Sequence, residues 1–163
     1  MAQRKFGRIW LVDEEASVLG RLGPEPLSEG FDRTKLAAIL KGRRVPIKAL
    51  LCDQTAVAGI GNMWADEILF ESGVHPQRAA GDLTPAEISI LHGAIRTVLE
   101  RGIGQMGASV STYRLPDGRT GTAQDGFQVA HRRSQSCPRC GALLGYIKIR
   151  GRGTCFCPRC QRE

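Results

Sequence analysis

Acidic residues are nearly missing from the end of this chain. From Arg132 onward Glu163 is the single acid against eight Arg or Lys, whereas residues 1–131 hold fifteen of each sign, so the whole net charge of +7 sits in the last segment. A long apolar run is also missing, as are a secretory leader, an internal repeat and a low-complexity tract. The lack of an apolar run argues against a membrane span, and the lack of a leader points to a reducing compartment, read here as the cytoplasm. Disulfide frameworks are not expected there. What is present, 42% hydrophobic and 24% charged residues over 163 positions, suits one compact domain with its own core or two small ones.

Against this background the six cysteines are informative. Cys137 and Cys140 form one CxxC pair, Cys157 and Cys160 another, and sixteen residues separate the pairs. Two tight turns joined by a two-stranded hairpin would bring the four sulfurs to one tetrahedral zinc ion. A site closed by four thiolates has no open position for substrate, so the metal is a structural staple. The competing readings are two disulfides, which a reducing compartment disfavours, and a redox centre, which needs no matched second pair. Four thiolates and one zinc lower the formal charge by two and leave the segment basic. A basic patch on a small stapled hairpin suits a polyanion, most simply nucleic acid. In "IRGRGT", Arg152 stands between Gly151 and Gly153, where a hairpin tip can bring backbone and guanidinium close to a phosphate; the alternative is a solvated loop arginine. Cys52, in an apolar run, reads as a buried thiol, and Cys155 as a hairpin residue.

Upstream the chain reads as mainly helical. Residues 3–12 alternate basic and apolar side chains and predict a strand, and "LGPEPLSEGF" predicts a linker. Met1 is read as an artificial start or the edge of a truncated domain. A helix is expected over Arg33–Lys41 with Asp32 as its cap, and another from "PIKALLCDQ" with Pro46 in the first turn. Gly59 and Gly61 then break the chain, and Asn62 opens a helix to about Ser72. Amides freed at that helix start could hold an anion, with Asn62 either touching a phosphate or serving only as N-cap. Thr84, Pro85 and Glu87 predict a capped helix that buries Ile88, Leu91, Ile95, Val98 and Leu99. His92 reads as a surface or satisfied histidine, His75 as a turn residue, and residues 107–136 as a long polar loop.

Taken together, "RKFG", "LGPEPL", "IKALLCDQTAVAGIGNMWADEILFESGVHP", "DGRTG" and "GRGTCFCPRCQ" resemble the bacterial formamidopyrimidine-DNA glycosylases and the related endonuclease VIII enzymes, in order and spacing, over nearly the whole chain. The resemblance implies a helix-two-turns-helix domain followed by a four-cysteine zinc β-hairpin finger, a monomer that grips damaged or abasic duplex DNA while a base is everted. It implies a phosphate clamp of Lys48, Asn62 and Arg152, a lesion wedge of Phe6 with Arg4 beside it, and a zinc held by Cys137, Cys140, Cys157 and Cys160. Without it, Lys48 would read as a solvated helix lysine and Phe6 as strand core. The loop "GASVSTYRLPDGRTG" corresponds to the segment that covers the everted base.

Two departures accompany the match. The family's catalytic amino-terminal proline and following glutamate have no counterpart in Met1-Ala2-Gln3, so no catalytic residue is assigned and the chain is expected to bind without excising. In "VAHRRSQSC", Ala130 and His131 stand where the family commonly has Tyr-Gly before Arg132. The expected organisation is a residual strand and linker over 1–31, the helical DNA-binding domain over 32–108, a loop over 109–131 and the finger over 132–163. The alternative class is a stand-alone zinc-ribbon module for nucleic acid or protein.

Overall fold

A computed structural model describes residues 10–110, 114–115 and 117–162. Among these, five α-helices precede one two-stranded hairpin: α1 (Ala16–Leu19), α2 (Arg33–Leu40), α3 (Ile47–Leu51), α4 (Asn62–Ser72), α5 (Pro85–Gly104), β1 (Gly145–Ile149) and β2 (Arg152–Phe156). The mainly helical expectation therefore holds up to Gly104, while the carboxy-terminal lobe consists of turns, a short 3-10 segment and the hairpin. Trp10–Val12 form no strand, and the rest of the predicted strand lies outside the described residues. No helix is long and apolar enough to cross a membrane among the described residues.

Local chemistry explains most boundaries. Asp32 caps α2 by accepting the Lys35 N–H at 2.7 Å. Thr84 and Glu87 close a reciprocal capping box on α5, with Pro85 just inside, and Arg78 pairs with the same Glu87 carboxylate. Pro46 sits one position earlier than expected, as the N-cap of α3 rather than in its first turn. Leu91, Ala94, Ile95 and Val98 of α5 are buried, with Ile88 and Leu99 packed at the margin. They meet Leu36 and Leu40 of α2, Ile47 and Leu51 of α3, and Ile68 and Leu69 of α4 in one core. His92 is satisfied, its Nε2 lying 2.8 Å from the Phe31 carbonyl oxygen and its ring stacking on Phe31. His75 is more enclosed than a turn residue need be, edge-on to Phe156 at 4.8 Å.

The connection between α3 and α4 is built from side-chain staples. Asp53 Oδ1 accepts the Thr55 amide and hydroxyl, which holds its carboxyl below the usual range. Gln54 spans the turns, donating to the Ile60 carbonyl and accepting the Gly59 N–H, both at 2.9 Å. Gly59 takes φ of 78°, a left-handed conformation that a side chain would strain. Gly61, not Asn62, is the N-cap of α4, so the capping role considered for Asn62 falls away.

Candidate nucleic-acid interface

The finger is an antiparallel hairpin in which Ile149 pairs with Arg152 and Lys148 with Gly153, leaving Arg150 and Gly151 at the tip. The sulfurs of Cys137, Cys140, Cys157 and Cys160 all lie within 4.8 Å of one another. Cys137 and Cys160 are 3.9 Å apart and Cys140 and Cys157 3.5 Å apart. A tetrahedron of sulfurs at the usual zinc–sulfur distance has edges of about 3.8 Å, and a disulfide of about 2 Å. The four residues therefore fit a zinc ion and not a pair of disulfides. Cys52 and Cys155 are buried and lie outside the four-sulfur group, Cys155 packing in the finger's small core beside it, and burial raises both thiols above their ordinary value.

What fixes the finger against the helical lobe is a set of polar contacts converging on α4. Lys48, at the first turn of α3, is 1% exposed; its Nζ donates to the Gly153 carbonyl at 2.9 Å and to Thr154 Oγ1 at 2.7 Å. The same ammonium lies 2.6 Å from Asp66 Oδ1, a buried ion pair. Asp66 Oδ2 accepts the Cys155 N–H at 3.1 Å. Burial pushes the Asp66 carboxyl up to about 6, against the lowering pull of Lys48 and of the Cys155 amide. Asn62 Nδ2 donates to the Gly153 carbonyl at 3.0 Å, and its Oδ1 is buried with no hydrogen-bond partner among the described residues. One carbonyl at the hairpin thus accepts from α3 and from the first residue of α4.

The polar segment before the finger is anchored too. The carboxylate of Glu67, 5% exposed, accepts the consecutive amides of Gln128, Val129 and Ala130 at 2.8–3.0 Å. On the far side, Arg139 donates to the Phe70 carbonyl and pairs with Glu71, its guanidinium 4.3 Å from the Phe70 ring centroid. Gln161 bridges the second knuckle to the end of α4, accepting the Cys157 N–H and donating to the Val74 carbonyl.

Of the three residues expected to form a clamp, Asn62 and Arg152 are brought together at the hairpin: Arg152 is exposed beside Gly153, the residue to which Asn62 is bonded. Lys48 is also bonded to Gly153, but from the buried side, with its ammonium turned inward. Arg4 and Phe6 lie outside the described residues. Asp66 and Glu67 escaped the sequence reading. The available signal was a pair of acids inside the apolar helix "MWADEILF", where a solvent-facing acid would be flanked on one side only.

Fold and site together define a helix-two-turns-helix domain carrying a four-cysteine structural zinc finger. Residues 22–114 match the formamidopyrimidine-DNA glycosylase H2TH domain, and residues 134–162 match the zinc finger found in FPG and IleRS. The chain belongs to the formamidopyrimidine-DNA glycosylase family. It is 48% identical to the formamidopyrimidine-DNA glycosylase of Desulfitobacterium hafniense over 97% of this chain and 59% of that protein. It is 47% identical to that of Symbiobacterium thermophilum over 98% of this chain and 53% of the relative. Among solved structures, the Thermus thermophilus MutM (FPG) protein superposes with a TM-score of 0.85 at 44% identity, covering 90% of this chain and 56% of that one. Lactococcus lactis Fpg in complex with DNA containing an abasic site gives 0.82 at 39%, covering 88% and 52%. The chain therefore spans a little over half the length of these relatives.

Proposed function

We propose that this chain is the DNA-gripping portion of a bifunctional glycosylase and strand-cleaving lyase that removes oxidised bases, acting in the bacterial cytoplasm at the nucleoid. In this reading residues 32–108 and 132–163 bind duplex DNA together as a monomer, joined by the loop 109–131, with damaged or abasic duplex preferred. Excision requires a proline–glutamate pair that these 163 residues do not carry at their start. The observation that carries the reading is the Gly153 carbonyl, which accepts from both Lys48 and Asn62 and so holds the start of α4 beside Arg152. Helix-start amides and an exposed guanidinium on one rigid surface match a phosphate backbone. Asn62 and Arg152 contact phosphates, Lys48 holds them in register from behind, and Phe6 with Arg4 fills the gap left by an everted base. The Lactococcus lactis relatives crystallised with abasic-site or Fapy-dG DNA support this reading.

Titrating the zinc-loaded chain with intact and abasic duplexes at two salt concentrations tests it. Arg152→Ala should weaken binding to both duplexes alike and flatten the salt dependence by about one counterion. Phe6→Ala should spare intact duplex and lose about 1–3 kcal/mol on the abasic one, the scale of one base–aromatic stack. Binding that is absent, or insensitive to salt, would refute the function; an equal loss on both duplexes for Phe6→Ala would return that residue to the core.

A further inference from the structure

The outer face of α2 is basic and plays no part in the clamp. Arg33, Lys35 and Lys41 are exposed there, and the first turn of the helix holds no acid beyond the Asp32 cap. Cations at a helix start oppose the macrodipole, so helix stability does not explain Arg33 and Lys35. Beside them two grooves of ≈ 420 Å³ each run between α2 and residues 80–89, and they adjoin, since Thr34, Ala37 and Ile88 line both. Their floor and walls are mostly apolar and small, with Ala37, Ala38, Leu40, Ala80, Leu83 and Ile88 supplying the surface. The ionisable side chains that line them are Lys41 in one groove and Arg33 in the other. Neither is ion-paired among the described residues, Arg33 Nη1 reaching only Ser89 Oγ at 3.3 Å. Nearby acids are engaged elsewhere: Asp32 caps α2, Glu87 is held by Thr84 and Arg78, and Asp82 lines neither groove.

The shape is also fixed in advance. The Gly81 N–H donates to the Arg43 carbonyl at 2.8 Å and the Ala80 N–H to the Val45 carbonyl at 2.9 Å, which ties the wall to the exit of α2. A Cβ at residue 81 would meet the Arg43 nitrogen at 2.9 Å, so glycine is what allows the two backbones to lie this close.

We propose that this groove docks an acidic amphipathic helix of a partner protein, its apolar side chains over Ala37 and Ile88 and its acids on Arg33 and Lys41. Those two cations stand eight positions apart on the helix, about 12 Å along its axis. A partner helix laid along α2 with acids about two turns apart and leucines between them matches both the charge and the floor. A nucleic-acid strand would use the two cations and leave the apolar floor uncovered. Lys48, Asn62 and Arg152 border neither groove, so the partner and a duplex can be held together, and the docking site does not depend on the DNA-binding reading.

The test is fluorescence anisotropy of the zinc-loaded chain with a labelled peptide of about four helical turns, carrying leucines at i, i+3 and i+4 and glutamates about two turns apart. Two control peptides replace the leucines by serine or the glutamates by lysine. The acidic leucine peptide should bind saturably and each control roughly tenfold or more weakly, the scale of losing buried leucine area or reversing the charge. Lys41→Glu should weaken the peptide roughly three- to tenfold. Ala38→Gln, a good helix former at an exposed position, should obstruct the groove and weaken it about as much while leaving the fold intact. Both variants should bind duplex as the parent does, and saturating duplex should not release the peptide. Absence of saturable binding, equal binding of the serine peptide, or variants that bind the peptide as the parent does would overturn the docking site. Release of the peptide by duplex would overturn it too, by showing that the acids had merely occupied the nucleic-acid surface. Each of these outcomes leaves duplex binding by the chain to be judged on its own titration.

Discussion

Replacing Lys48 by methionine removes an ammonium while keeping the length of its stem, and the structure says where the cost falls. Asp66 loses the cation at 2.6 Å in a site that is 4% exposed and must either hold an uncompensated charge or take up a proton; the Gly153 carbonyl retains only Asn62, and Thr154 Oγ1 loses its donor. Leaving one member of a buried pair uncompensated costs about 3–5 kcal/mol, a large part of the roughly 5–15 kcal/mol that holds a domain folded. Adding Asp66→Asn removes the stranded charge and keeps an acceptor for the Cys155 amide, so the double variant should recover at least half of the loss, a coupling on the order of 1–3 kcal/mol. Urea unfolding of the zinc-loaded parent, both single variants and the double variant gives that cycle directly. DNA titration over a salt series adds the functional arm: a lysine acting from behind the surface leaves the salt slope of the refolded double variant unchanged. A loss below about 1 kcal/mol for Lys48→Met would refute the buried-pair reasoning. A double variant that regains stability yet loses about one counterion of slope would show that the ammonium touches phosphate itself.

Three further outcomes are expected. Cys157→Ser should drop zinc below one equivalent per chain and unfold the finger while the far-UV helical signal of α2–α5 survives, because the finger's own core is Leu144 and a few neighbours around the cysteines; a fully ordered, metal-free variant would contradict this. The Asp66 carboxyl is raised from 3.8 to about 6 in the fold, so the folded state keeps a proton that the unfolded chain has released, and stability from this group is greatest below the lower value and falls as pH rises through the window. Measured against Asp66→Asn, which shares the zinc site's own pH response, the parent should lose up to about 1.4 kcal/mol per pH unit there and level off above it. Borohydride treatment of the 163-residue chain on oxidised or abasic duplex should trap no covalent adduct, and trapping at rates typical of a glycosylase would reveal another amine.

The legible parts of this protein were those with local causes. Asp32, the Thr84–Glu87 box and the limits of α4 follow from residues within a turn of one another, and the metal site follows from the spacing of four cysteines. The contacts that make the interface are not local. Asp66 meets the Cys155 amide 89 residues on, and Glu67 meets amides 61 to 63 residues on, so "MWADEILF" shows two acids in an apolar helix without saying what they will bond. Lys48 illustrates the same limit, since its partners at Gly153 and Thr154 lie more than a hundred positions away. His131 was visible only as a departure from a tripeptide; its left-handed backbone and its place on a cavity rim required the fold. The short helix α1 went unread because Ala16–Leu19 buries nothing that periodicity could register.

The grip of Glu67 on residues 128–130 separates two demands that one segment would otherwise have to meet. Apart from the contacts that tie Gly121, Thr122, Ala123 and Phe127 to Ser109, Gln105, Gly107 and Trp64, the stretch between α5 and Gln128 can change in length and composition, and the chain still re-enters the finger at a fixed point and heading, because its register is reset by a carboxylate rooted in α4. Variation in that stretch is thereby uncoupled from the placement of the zinc lobe.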